Sequence, residues 1–247
     1  MTAVAVDLHA HTVASGHAFS TLDELAGVAA VCGLEMIAIT DHGPSMEGSP
    51  HDGYFEMVGR VPSVVGGVGI LMGIEANIIE FDGSLDLGFD ALSSQQVVLA
   101  GLHERTPYVG TSELDNTRSI LRAMAGGSVH VVSHPFRPRY PVDVGEVSRA
   151  AADTGVLLEV NVSLIGRALD RADEDTDARR TVLETSRMLE GLSSRGGLCV
   201  VSSDAHHSSE LAAFTERAGR IIQALEIDTG MIANRSVATL SEAIPIL

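Results

Sequence analysis

The chain has 247 residues, of which 45% are hydrophobic and 20% charged, a globular composition that excludes a disordered or low-complexity protein. Its 33 acidic and 16 basic side chains give a formal net charge of −17, which argues against broad electrostatic binding to nucleic acid or to an anionic membrane. A phosphorylated substrate remains compatible with this charge, because metal ions can reverse the field within one cleft.

The cysteines and the first residues of the sequence indicate the cellular compartment in which the protein is expected. Cys32 and Cys199 are the only cysteines and form no C-x-x-C pair, which favours a reducing environment. The sequence opens without a basic and apolar leader, and no window reaches the ~18 uncharged apolar residues of a membrane span. We therefore expect a cytoplasmic protein that binds neither membrane nor nucleic acid, with a homo-oligomer as a possibility.

Seven short apolar runs are predicted to form β-strands. Each is a nearly continuous Val, Ile and Leu stretch, which is typical of parallel strands covered by helices on both faces. The runs span residues 3–9, 35–42, 69–77, 97–104, 129–135, 156–162 and 198–206. Seven such strands with helices between them predict a (β/α) barrel.

Four helical patterns lie between or after these strands. They span residues 20–33, 111–127, 177–197 and 208–226, and the first carries a capping box of Thr21 and Glu24 and a glycine stop at Gly33. The acidic segment 170–177 is predicted to be a solvated surface loop, with a lid over the site as the alternative. Because no linker or shift of composition interrupts the pattern, residues 1–247 are predicted to form a single domain.

The stretch VDLHAHT, residues 6–12, places two histidines at the end of the first predicted strand. His9 and His11 are two residues apart, so both point to the same side of the strand. They either fill a polar strand mouth or hold a metal ion.

The other predicted strands also end in residues with nitrogen or oxygen donors. These residues are His42, Glu75, His103, His134, Asn161, Asp204 and His206. In a parallel barrel all strand carboxyl ends open onto one face, so these donors should meet there, and the metal interpretation is favoured. Imidazole and carboxylate without thiolate suit Zn, Mn or Fe, and the number of donors implies two or three ions that share a carboxylate.

The motifs DLHAHT, ITDHG, GIEAN, GLHE, SHP and SDAH, in this order, resemble those of the PHP (polymerase and histidinol phosphatase) family. The resemblance runs nearly end to end and is strongest to the stand-alone bacterial phosphatases of the YcdX type. It implies a distorted (β/α)7 TIM-like barrel with a trinuclear site, usually described with zinc. It also implies a phosphatase that hydrolyses a small phosphomonoester with a metal-activated water and no protein nucleophile.

The resemblance further implies nine metal ligands in three shells that share Glu75. The shells are His9, His11, Glu75 and Asp204 for the first ion, Glu75, His103 and His134 for the second, and His17, His42 and His206 for the third.

Four further residues are candidates for contact with the substrate. Arg137, Arg139 and Arg167 could clamp a phosphate, or could equally be surface ion-pair partners in so acidic a chain. Asn161 could contact the substrate or make a hydrogen bond at the end of its strand.

The remaining histidines and two acidic residues are not expected to be metal ligands. His130 is predicted to be a hydrogen-bonded core residue in the middle of a strand, His207 to face away from the site, and His51 to lie in a loop. Asp7 and Asp41 flank predicted ligands and are expected to point away from the cleft, either in a structural role or to hold an imidazole N–H.

Three other functions remain as alternatives to a small-molecule phosphatase. The first is a histidinol phosphatase, the second a nuclease or proofreading module of the same family, and the third a catalytically silent metal-binding protein. The acidic charge counts against the nuclease.

Overall fold

The computed structural model describes residues 4–110 and 112–244. In these ranges the chain forms a sheet of eight strands: β1 (Val6–Asp7), β2 (Met36–Ile39), β3 (Val64–Val65), β4 (Val68–Asn77), β5 (Val97–Gly101), β6 (Val131–Val132), β7 (Leu157–Asn161) and β8 (Cys199–Ser202). The first residue of the predicted strand 3–9 and Thr111, the first residue of the predicted helix 111–127, lie outside the described residues.

Seven of the strands are parallel and follow the order β1-β2-β4-β5-β6-β7-β8. β3 does not belong to this order and pairs antiparallel with β4. The two ends of the path meet at a bridge between Ala10 and Ala205, and the backbone N–H of Asp204 donates to the carbonyl of His9 over 2.9 Å. The sheet is therefore a nearly closed barrel, and the predicted (β/α)7 fold is confirmed.

The described ranges contain ten α-helices that surround the barrel. They are α1 (Leu22–Val31), α2 (Asp52–Phe55), α3 (Phe89–Ser93), α4 (Glu113–Ala125), α5 (Val144–Thr154), α6 (Val162–Arg171), α7 (Thr176–Ser193), α8 (Ser208–Ala212), α9 (Phe214–Ala224) and α10 (Val237–Ala243). The capping box predicted from Thr21 and Glu24 is present at the start of α1. None of the helices described is both long enough and apolar enough to cross a membrane.

The helix predictions were incomplete in three respects. Five helices were not predicted, namely α2, α3, α5, α6 and α10, although α5 buries Val144, Val147 and Ala151 at helical spacing. The predicted helix 208–226 is two helices, α8 and α9, which meet at Ala213. The acidic segment 170–177 is a loop only at 172–175, because its first two residues end α6 and its last two begin α7.

The interior of the barrel is apolar at one end and polar at the other. One buried cluster draws a side chain from every parallel strand, including Leu71 of β4 and Leu157 of β7, and Leu240 of α10 joins it. Because side chains alternate along a strand, Glu75 shares a face with Leu71, and Glu159 shares a face with Leu157. Apolar side chains therefore fill one end of the barrel, and polar side chains occupy the other end, at the carboxyl ends of the strands.

Candidate metal centre

The predicted ligands meet at the carboxyl end of the barrel, around a cavity of about 230 Å³. Seven of the nine line that cavity, namely His17, His42, Glu75, His103, His134, Asp204 and His206. His9 and His11 are fully buried, and their Nε2 atoms lie within 3.5 Å of a carboxylate oxygen of Asp204, a residue of the lining. Residues separated by nearly two hundred positions therefore share one cleft, as the parallel strand order predicts.

Glu75 lies at the centre of this cluster, with each carboxylate oxygen facing a different set of histidines. Oε1 is 3.0 Å from Nε2 of both His103 and His134. Oε2 is 3.2 Å from Nε2 of His9 and 2.9 Å from Nδ1 of His42. Such a position allows one carboxylate to bridge two cations.

Three groups of donor atoms, each within 4.8 Å of one another, are present in the described part of the chain. They are His9, His11 and Asp204, then His42, Glu75 and His103, and finally His11, His42 and His206. The first two groups overlap two of the predicted shells. The third joins His11 to His42 and His206, whereas the exposed ring of His17 stands 5.0 Å from the ring centres of both His42 and His206.

The buried polar atoms of this cluster fit a divalent cation. Oε2 of Glu75 and Nδ1 of His42 have no hydrogen-bond partner among the described residues, although nearly all buried polar groups in proteins have one. Nε2 of His9 lies 3.0 Å from Nε2 of His11, and Nε2 of His103 lies 3.2 Å from Nε2 of His134. Nitrogen and oxygen donors in this arrangement, without sulfur, suit Zn, Mn or Fe.

Burial and charge shift the pKa of several members. Burial, reinforced by neighbouring imidazoles, lowers the pKa of His11 well below its ordinary value, and burial lowers the pKa of His103 to about 4. Burial opposes ionisation of Glu75, yet the nearby histidines hold its pKa well below the ordinary value. Burial also opposes protonation of His9, yet the carboxylates around it raise its pKa well above the ordinary value, so His9 must give up a proton in order to bind a metal ion.

Two predicted ligands have a strained backbone. His134 has a φ of 27° and Asp204 a φ of 54°, both in a region that residues other than glycine seldom adopt. Hydrogen bonds hold each of them, because the N–H of His134 donates to Glu159 over 2.6 Å and the N–H of Asp204 donates to the carbonyl of His9. Strain of this kind concentrates at functional sites.

Glu159 is the site residue that sequence reasoning missed. Its Oε1 lies 2.7 Å from Nδ1 of His9 and accepts from the hydroxyl of Ser202, while its Oε2 accepts from the N–H of His134. The signal was a single carboxylate within the apolar run VLLEVNV, since a buried strand seldom carries an unpaired charge.

Asp41 acts on the cluster through Ser15, which differs from the direct contact that was predicted. The Ser15 hydroxyl donates to Asp41 over 2.6 Å, so its oxygen is left to accept from Nδ1 of His11 at 3.1 Å and from the N–H of His42. Nδ1 of His11 must then carry its proton, which leaves Nε2 free to bind a cation.

Of the two roles predicted for Asp7, the structure shows the structural one and no contact with an imidazole. Its Oδ1 accepts from the backbone N–H groups of Ser203 and His9, and burial raises the pKa of Asp7 to about 6. Asp7 therefore joins the first and last strands of the barrel.

The candidate substrate residues separate into three groups. Arg137 and Arg167 line the cavity, and Arg137 makes no ion pair and no side-chain hydrogen bond with a described residue. Arg139 instead pairs with Glu104 over 2.7 Å, and both side chains are largely exposed. Asn161 is buried, donates to Glu159 and Asp204, and accepts from the first turn of α6, so no side-chain N–H remains for a substrate.

The three remaining histidines lie outside the cluster. His51 and His207 are exposed, and each accepts a backbone N–H at the start of a short helix. His130 accepts from the N–H of Val98 over 3.0 Å, as a structural role requires. However, it precedes β6 rather than lying within a strand, and it is only partly buried.

Comparison with known proteins identifies relatives across nearly the whole chain. The family model described as PHP domain matches residues 7–185. A probable phosphatase of Shewanella piezotolerans is 37% identical over 235 residues, which are 95% of this chain and 91% of that protein. The probable phosphatase YcdX of Escherichia coli is 38% identical over 231 residues, which are 94% and 90% of the two chains.

Two solved structures share the fold at low sequence identity. Histidinol phosphate phosphatase of Lactococcus lactis, crystallised with zinc, L-histidinol and phosphate, has a TM-score of 0.60 at 19% identity and covers 92% of this chain and 97% of its own. A chain from archaeal ribonuclease P, solved with mature tRNA, has a TM-score of 0.53 at 11% identity and covers 89% of each chain. At these identities the likeness concerns the fold alone.

Proposed function

This chain belongs to the PHP domain family, and from that premise we propose that it is a metal-dependent phosphatase acting on a small phosphomonoester. The names of its bacterial relatives supply the reaction class. The observation that supports the proposal most strongly is the position of Glu75, whose two oxygens face two different sets of histidines. A carboxylate so placed suits a site of more than one ion.

We assign three divalent ions, with zinc preferred, to the nine residues His9, His11, His17, His42, Glu75, His103, His134, Asp204 and His206. When bound, such ions would supply a Lewis acid that activates water and neutralises the charge of phosphate oxygens. Two residues of the chain orient the imidazoles. Glu159 holds a proton of His9 on Nδ1, and Ser15 holds the proton of His11 on Nδ1. Nε2 of each ring is then the atom available to a cation.

The walls of the cavity set the size and charge of the substrate. A volume of about 230 Å³ lies below the range of ~300–1,000 Å³ usual for ligand pockets, so a small molecule is favoured over a polymer. Arg137 offers its guanidinium donors to phosphate oxygens, and Arg167 adds a second cation at the rim. Met46 and Leu164 form the apolar part of the lining.

Metal analysis combined with a phosphatase assay tests this proposal. We expect up to three ions per chain by elemental mass spectrometry, and release of p-nitrophenol from p-nitrophenyl phosphate that chelation abolishes and metal restores. A reproducible value near one ion per chain after supplementation would refute the trinuclear assignment. Metal-loaded protein that releases no p-nitrophenol would refute the phosphatase.

A second substrate separates the phosphatase from a nuclease. The net charge of −17 should repel a long polyanion outside the cleft, so a single-stranded oligonucleotide should be cut more slowly than p-nitrophenyl phosphate at equal metal. Faster release of nucleotides from the oligonucleotide would favour the nuclease instead.

A further inference from the structure

A second cavity, of about 160 Å³, lies between α6 and α9 and adjoins the metal-site cavity. Its polar lining comes from Ser163, Arg167 and Asp170 of α6 and from Arg217 and Arg220 of α9. Arg167 lines both cavities, so the two are neighbours along the same wall.

The charge of this cavity is opposite to that of the chain. All sixteen basic residues of the chain are arginines, and three of them line this one cavity in a protein of net charge −17. Asp170 is the only acidic residue of the lining and pairs with Arg220 over 3.0 Å. Arg217 makes no ion pair and no side-chain hydrogen bond with any described residue, so cationic donors are left over.

The cavity leads away from the metal centre along α6. Asn161, which caps α6, donates to Asp204 in the metal cluster, so the helix begins at the cluster itself. Ser163, Arg167 and Asp170 are spaced by four and three residues and share one helix face, and the seven helical rises from Ser163 to Asp170 span about 10 Å. Gly166, also in the lining, adds no side chain to fill this space.

We propose that this cavity binds a second phosphate group of the substrate, so that the substrate class is a small bisphosphate. The inference rests on the proposed phosphatase function, and it specifies which phosphomonoester the site prefers. Phosphate matches guanidinium because its oxygens accept two parallel N–H bonds from one arginine. A substrate whose remainder carries an ammonium group would instead meet repulsion from Arg167 and Arg217.

The test compares substrates that carry one and two phosphates. Wild-type protein and the variants Arg217→Gln and Arg220→Gln would be assayed on fructose 1,6-bisphosphate, fructose 6-phosphate and p-nitrophenyl phosphate. We expect wild type to prefer the bisphosphate, and each variant to reduce the ratio of kcat/KM for the bisphosphate to that for p-nitrophenyl phosphate by about tenfold, through KM. The matched control is Arg187→Gln, an exposed arginine of α7 paired with Glu184, which should leave the ratio unchanged.

Calorimetric titration of metal-free protein with fructose 1,6-bisphosphate separates this inference from the proposed function. Binding that both variants weaken by about tenfold would support the cavity even in a protein that releases no p-nitrophenol. Active enzyme in which wild type and variants have the same substrate ratio and the same affinity would overturn the inference while the phosphatase stands.

Discussion

The carboxylate of Glu159 lies 2.7 Å from Nδ1 of His9, and both side chains are buried beneath the metal centre. Because an ionised carboxylate only accepts, His9 keeps a proton on Nδ1, and its Nε2, which faces Glu75 and Asp204, is the atom that a metal ion would bind. A carboxylate behind a histidine ligand fixes both its tautomer and its orientation. Glu159 is therefore a positioning residue for the cluster.

We expect Glu159→Gln to reduce metal affinity and activity by about 10–100-fold. Both oxygens of Glu159 accept hydrogen bonds, so the amide NH₂ must face either the ring of His9 or the N–H of His134. Metal titration and kcat/KM on p-nitrophenyl phosphate measure the effect. Glu190→Gln, an exposed position on α7, serves as the control. Equal metal affinity in both variants would remove Glu159 from the site.

Gly101 ends β5 directly beneath two histidines and leaves no space for a side chain. A Cβ at this position would lie 2.9 Å from Cε1 of His134, 3.0 Å from Cε1 of His103 and 2.5 Å from Oγ of Ser133. Gly101→Ala should displace both rings and reduce activity by about 10–100-fold, with an overpacking cost of roughly 1–3 kcal/mol. Thermal unfolding and kcat/KM measure the two effects.

The control for this change is Gly59→Ala, where an added Cβ meets no atom within 4 Å. It should leave both unfolding and turnover as in wild type. A Gly101→Ala protein with unchanged kcat/KM would mean that the positions of His103 and His134 tolerate movement, which would contradict the bridging role proposed for Glu75.

The parallel barrel and the meeting of eight of the nine donors could be predicted from the sequence, because both depend on local patterns, whereas His17 was included only through the resemblance. Apolar runs such as GILMGIEAN mark buried parallel strands, and parallel strands bring their carboxyl ends to one face. The sharing of Glu75 was implied by the resemblance, and the structure places this residue near the carboxyl end of β4.

The contacts of Glu159 and the grouping of His11 could not be predicted in this way. Glu159 binds His9, which is 150 positions away in the chain, and that contact exists only once the barrel closes with β8 alone between β7 and β1. His11 lies with His42 and His206 because Ser15 and Asp41 orient its ring. Neither the spacing nor the residue types of these segments carry information about side-chain rotamers.

His130 makes the stability of the protein depend on pH at a distance from the metal centre. Its Nδ1 accepts from the N–H of Val98, and burial lowers the pKa of His130 below its ordinary value of 6.5. Between pH 6.5 and the lower pKa of the folded state, His130 binds a proton in the unfolded chain but not in the folded chain. The stabilisation is therefore complete above pH 6.5 and is lost as the pH falls through the lower pKa of the folded state.

We expect His130→Asn to lose less stability than wild type between about pH 7.5 and pH 5, because the amide oxygen keeps an acceptor for Val98 and does not titrate. Urea unfolding at both pH values gives the free energies. The control is His51→Asn, at an exposed position. If the free energies of wild type and His130→Asn fell in parallel, burial of the imidazole would not be the source of the pH dependence.

Glu75 is the residue whose loss should remove two ions at once. Its Oε1 faces His103 and His134 and its Oε2 faces His9 and His42, so one carboxylate serves two sets of donors.

Glu75→Gln keeps the shape, removes the charge and turns an NH₂ donor towards a cation. We expect two ions to be lost and activity to fall at least ~10²-fold, while the fold survives on its Val, Ile and Leu core. The third ion is assigned to His17, His42 and His206, without Glu75 as a ligand, and should remain even though Oε2 of Glu75 lies 2.9 Å from Nδ1 of His42. Glu80→Gln, at an exposed position five residues later, should match wild type in metal content, circular dichroism and turnover. A Glu75→Gln protein with its full complement of ions and full turnover would disprove the bridge.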